Sequence, residues 1–177
     1  ADGPVHQTRR PLIYFGVRGV VSMDITVYGA DRGLHSGHYG NWAPNPAMRL
    51  AKLLASMKDD SGQVLIDGFY DDVEPLGAEE KIALDEMPAI DGELMREYGL
   101  AGADGQGKSL AALISEPSLN IDGLRSEYVG ADARTIIPSE ATATLDLRLV
   151  KGIEPRRQVN RVVEHIRKQG YFVVDRP

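Results

Sequence analysis

Two histidines three residues apart, His35 and His38, stand in the stretch GADRGLHSGHYGNWAPN (29–45), together with glycines at 29, 33, 37 and 40 and the chain's only tryptophan. A glycine-framed loop tip can present an imidazole to a ligand outside its own fold, where the ring can stabilise a developing oxyanion. The same ring can instead brace its own turn by a local hydrogen bond, and residue type alone leaves both open. Arg148 is the other residue with chemical reach. On the polar face of a strand it can pair with Asp146 or Asp24, or offer its guanidinium fork to a substrate carboxylate. The remaining candidates are weaker. The other histidines are His6 and His165, and no HxD or HExxH spacing announces the ligand set of a metal hydrolase. His165 falls on the polar side of the last helix and reads as a surface residue, and the Glu79–Glu80 pair lies in an acidic, solvated helix.

The elements that must position these residues are legible from periodicity. Residues 20–28 alternate strictly, with Val21, Met23, Ile25 and Val27 on one face and Ser22, Asp24, Thr26 and Tyr28 on the other, which predicts a half-buried strand. After the glycine loop, Asn45 is a good N-cap and Pro46 a good first helical residue. Ala47, Leu50, Ala51 and Leu54 then follow helical spacing, predicting a helix to about Lys58. Residues 59–118 break this rhythm and read as an acidic, mainly helical insertion with a short apolar piece at 64–69. Short strands are expected at 118–121 and 126–129. Residues 141–150 give the clearest strand, with Ala141, Ala143, Leu145, Leu147 and Leu149 opposed to Thr142, Thr144, Asp146 and Arg148. Pro155 opens a helix bearing Val159, Val162, Val163 and Ile166, Gly170 closes it, and 171–174 is expected to be a final strand. The order β-α-(insertion)-β-β-α-β is that of an α+β, ferredoxin-like sandwich: a four-stranded antiparallel sheet with two helices on one face.

Bulk composition narrows the classes. At 177 residues with 42% hydrophobic side chains the chain can bury a real core, and it has no cysteine for disulfides or thiolate metal sites. No apolar run approaches the roughly 20 residues of a membrane span, and a cytoplasmic setting is expected. Residues 59–104 hold 14 acidic and 2 basic side chains, so that segment carries −12 within a net charge of −6. With only 6% aromatic residues and no basic face, nucleic acid is not an expected partner.

The runs PLIYFGVRG (11–19), LHSGHYG (34–40), NPA (45–47), PSLNIDG (117–123) and ARTIIPSEATATLDLRLV (133–150) resemble the lid, or dimerisation, domain of the dinuclear-zinc metallopeptidases, a family that includes carnosinase-type dipeptidases, carboxypeptidase G and aminoacylase relatives. The stretch SGQVLIDGFYDDV (61–73) is similar to the dipeptidase branch. The resemblance implies that His35 crosses a homodimer interface to polarise the scissile carbonyl in the partner's active site. It implies that Thr135 and Arg148 contact substrate, Arg148 as clamp for a carboxylate. Asp2, 33 residues before His35, resembles the position of an aspartate metal ligand.

The family's HxD pair, bridging aspartate, glutamate pair and late histidine have no counterpart in these 177 residues. The expectation is therefore a segment of an enzyme. Residues 1–13 would close a catalytic-domain segment and linker, and 14–177 would form the lid with its insertion at about 59–118. Two zinc ions, or manganese or cobalt, would belong to the intact enzyme, which would act on a dipeptide or N-acyl amino acid. The isolated domain would hold none and would be inactive. The rival expectations are a freestanding ferredoxin-like module that binds a small ligand, and a purely structural dimerisation scaffold.

Overall fold

The computed structural model describes residues 16–174. In chain order the elements are β1 (Gly19–Tyr28), β2 (Leu34–His35), α1 (Ser36–Tyr39), α2 (Pro46–Ala55), α3 (Ala78–Asp85), α4 (Asp91–Glu97), α5 (Leu110–Leu113), β3 (Ser118–Arg125), β4 (Ile136–Ile137), β5 (Glu140–Leu149) and α6 (Pro155–Lys168), with a 3-10 turn at Gly130–Asp132. The class is α+β, as expected.

The two strictly alternating segments pair with each other: β1 and β5 run antiparallel from Gly19 opposite Leu149 to Tyr28 opposite Glu140. β3 adds to the other side of β5, giving the order β1-β5-β3. Directly opposed residues share a face, so Val21, Met23, Ile25 and Val27 lie with the alanines and leucines of β5, whose five apolar side chains are all buried. Against that face pack Leu50, Leu53 and Leu54 of α2 and Val162 and Ile166 of α6, in one continuous core. The start of α2 is fixed as the sequence predicts, with the Asn45 side chain accepting from Ala47 N at 2.9 Å and Met48 N at 3.3 Å ahead of Pro46.

Four expectations are corrected. The principal sheet has three strands, because 171–174 joins no ladder. Tyr171 and Val173 do pack on the core while Phe172 and Val174 are exposed, a strand-like alternation. However, Tyr171 is tied to its surroundings by other bonds: its N–H donates to Ile166 O at the end of α6 and its hydroxyl to Arg49 O. The strand expected at 118–121 continues to Arg125 as β3, through an irregularity between Ile121 and Gly123, and the residues 126–129, expected as a second strand, form none. A second, two-stranded sheet pairs β2 with β4, and no periodicity is visible in elements two residues long.

The fourth correction concerns His165, which is buried. The Ser56 hydroxyl donates to Leu53 O at 2.7 Å, so its oxygen accepts from His165 Nε2 at 2.9 Å. Burial is the main cause that lowers the His165 pKa below its ordinary 6.5, helped by Lys168 and opposed by Asp67. A depressed folded-state pKa means that the unfolded chain binds the proton more readily. Stability should therefore fall as pH drops below about 6.5 and level off beneath the lowered value. Denaturant melts across this range should show the decline, and His165→Gln should flatten it.

Residues 59–118 divide in two. Val64, Ile66 and Phe69 belong to the core, each under 5% exposed. A polar network binds this piece to α6: the fully buried Gln158 donates to Phe69 O at 3.1 Å, and Arg161 donates to Gln158 Oε1 and pairs with Asp72 at 2.9 Å. Gly152, at φ +92°, lies so close to the Asp72 carbonyl that no side chain would fit. The acidic remainder is looser, and α3 buries no residue.

Candidate functional site

The glycine loop is held by the small second sheet. Leu34 and His35 pair with Ile137 and Ile136, and Ser36 N donates to Thr135 O at 2.9 Å. A Cβ at Gly33 would lie 2.9 Å from Ile136 Cγ2, so glycine is what lets β2 come this near β4. The consequence is that His35 and Thr135, a hundred residues apart in sequence, become neighbours, and both are exposed.

The orientation of His35 follows from its next contact. Its Nδ1 accepts from Gly37 N at 3.1 Å, with His35 as the N-cap of α1. In a neutral imidazole an accepting Nδ1 leaves the proton on Nε2, so the exposed ring offers a donor. The ring lies over Gly37, where a Cβ would meet Cε1 at 3.0 Å and Nδ1 at 3.2 Å. The ring of His38 stands edge-on to that of His35, with 4.8 Å between centroids. Both roles weighed for His35 are thus physically compatible: it braces its turn through Nδ1 and presents Nε2.

Arg148 lies elsewhere. Of its two possible partners Asp146 takes it, at 2.8 Å, while Asp24 accepts from the Thr144 hydroxyl at 2.7 Å. Asp146 is buried and its Oδ1 has no hydrogen-bond partner among the described residues. Arg18, just before β1, shares this neighbourhood: burial first, then repulsion from Arg148, lower its pKa, while Asp146 raises it. No sequence signal marks Arg18, because its neighbours are set by β1–β5 register. The docked loop joins the sheet at the Glu140 end of β5, where Gly29 N donates to Ser139 O. Eight residues of extended strand, about 27 Å, separate Glu140 from Arg148.

Asp2 lies outside the described residues. Among the described residues, no three or more His, Cys, Asp or Glu side chains converge so as to hold a metal ion. The described residues therefore do not form a metal centre by themselves. No helix among them is long and apolar enough to cross a membrane.

Comparison with known proteins identifies the family. The family model described as the peptidase dimerisation domain matches residues 15–172. The chain is 31% identical to the Cys-Gly metallodipeptidase DUG1 of Candida albicans over 90% of its length and 33% of that protein's. It is 30% identical to the human Beta-Ala-His dipeptidase, over 89% and 32% respectively. It thus spans about a third of the length of these relatives. The crystal structure of an M20 family metallo-carboxypeptidase from Sulfolobus solfataricus superposes with a TM-score of 0.84 at 29% identity, covering 96% of this chain and 39% of that one. The chain belongs to the M20 peptidase dimerisation domain family.

Proposed function

We propose that this chain is the lid and dimerisation domain of a metal-dependent dipeptidase or related amidohydrolase, and that it lends His35 to the active site of a partner subunit. Residues 1–13 would lead in from the catalytic domain, with Asp2 as a metal ligand, and 14–177 would form the lid with its insertion at about 59–118. The ions, two zinc or else manganese or cobalt, are held in the intact enzyme by residues outside the lid. The chain alone is inactive. The relatives' names, Cys-Gly metallodipeptidase and Beta-Ala-His dipeptidase, support a dipeptide as substrate, and a chain without cysteine suits the cytoplasm.

The observation that carries this reading is the separation of the site into two parts. A dipeptide spans about 7 Å, so the pair His35–Thr135 and the residue Arg148, at opposite ends of β5, cannot grip the same molecule within one chain. In a homodimer each lid can instead serve two active sites, His35 and Thr135 in the partner's and Arg148 in its own. Nε2 of His35 donates to the oxyanion as the carbonyl is attacked, Thr135 lines the same end, and Arg148 takes the substrate carboxylate. The outer edge of β3, with exposed Ile121 and Leu124, supports a two-fold contact that continues the sheet, with α2, whose Met48 is exposed, as the helix that would join it.

Subunit mixing tests it. In the intact enzyme, one subunit carries His35→Ala and the other a disabling substitution in its catalytic domain. Mixed dimers should recover activity well above either parent, because one complete site is assembled across the interface. Mixed dimers that form, by native mass spectrometry, yet remain as inactive as the parents would remove the proposal.

A further inference from the structure

We propose that His38 is the positioning residue for His35, holding its imidazole in the orientation that delivers Nε2 to the substrate in the partner subunit. The proposal rests on the reading of His35 given above and assigns a role to the second histidine of the loop.

His35 reaches out of its own fold with little to hold it. It is exposed, and α1, which it caps, buries no side chain. Among the described residues its ring makes a single hydrogen bond, Nδ1 accepting from Gly37 N at 3.1 Å. One such bond fixes one ring atom but leaves the ring free to tilt about it, and Nε2, on the far side, swings farthest.

The contact with His38 opposes that tilt. Side chains three apart along a helical turn are neighbours, and here the two rings meet edge-on, their planes 63° apart and their centroids 4.8 Å apart, an arrangement aromatic rings favour. The Gly37 backbone lies under Cε1, where a Cβ would stand 3.0 Å away. Gly37 and His38 thus bound the His35 ring on two sides.

His38 can serve as a stop only if it is fixed in turn. Ser36 N donates to Thr135 O at 2.9 Å, which anchors α1 beside β4, and Gly40 N donates to Ser36 O at 2.8 Å. Trp42 N and Ala43 N then close the following turn on Tyr39 O at 3.0 and 2.8 Å. The rings continue as a row, His38 to Tyr39 at 6.2 Å and Tyr39 to Trp42 at 6.1 Å. His38 itself is exposed and its side chain has no hydrogen bond among the described residues, so it adds little to folding, and its nearest ring is that of His35. An oxyanion donor is effective only when it is already aimed where the charge develops. A loosened ring must be ordered again at each turnover, and that cost falls on kcat.

The test uses the intact enzyme with Cys-Gly as substrate. His38→Ala should lower kcat roughly tenfold, the scale of one side chain left to be ordered in the transition state, with KM little changed. His38→Phe keeps a ring for His35 to rest against and should recover most of the loss. Because His38 acts through His35, the double variant His35→Ala with His38→Ala should be no slower than His35→Ala alone. Losses that multiply in the double variant would show that His38 acts independently, on the loop or the dimer, and would overturn the proposal. A wild-type kcat in His38→Ala, beside a slow His35→Ala, would overturn it while leaving the role of His35 in place. If His35→Ala itself keeps full kcat, the underlying reading of His35 fails and this one with it.

Discussion

His35→Ala in the intact enzyme should lower kcat by roughly 100- to 1,000-fold, the cost typical of one oxyanion donor, with a much smaller change in KM. The expectation rests on the tautomer. Because Nδ1 is occupied by Gly37 N at 3.1 Å, the neutral ring has its proton on Nε2, on an exposed side chain. The ground-state carbonyl gains little from such a donor, whereas the tetrahedral oxyanion gains a charge-assisted bond, so the loss appears in kcat. Sedimentation should show the dimer unchanged. A variant with full kcat and an intact dimer would leave His35 only its bracing role.

Phe69→Ala should destabilise the fold by about 3–5 kcal/mol, the range for deleting a buried aromatic ring. Phe69 is 1% exposed, stacks edge-on to Tyr70 at 5.2 Å and has its carbonyl bound by the buried Gln158. Truncation would leave a cavity that the β5 leucines and the Gln158 network cannot collapse to fill. By contrast Ile82→Ala, on the exposed α3, should change stability by about 0.5 kcal/mol or less. Denaturant melts of the two variants separate a core segment from a surface one. Equal small effects would mean that 64–69 is a dispensable surface addition.

These two expectations differ in how far the sequence foresaw them. His35 could be singled out from its glycine frame, since loops that need several glycines advertise close approach. Its partner Thr135 could not be found by spacing, because β2 and β4 are two residues long and have no periodicity. Arg148 was visible as a charged residue on the polar face of β5, but the choice of Asp146 over Asp24, and the nearness of Arg18, depend on strand register. His165 was misplaced for a related reason. Its position on α6 gives its angle on the helix, while its buried setting includes Ser56 at the end of α2, 109 residues earlier.

The sequence by itself determined β1, β5, α2 and α6, because alternation and helical spacing with caps are local properties written in neighbouring residues. It also carried the family, through five separated motifs. Only the tertiary structure decided that the sheet closes at three strands, that 64–69 enters the core, and that His35 and Thr135 stand at one end of β5 with Arg148 at the other. Those outcomes depend on contacts between distant segments, where packing and register compete with local preference and override it.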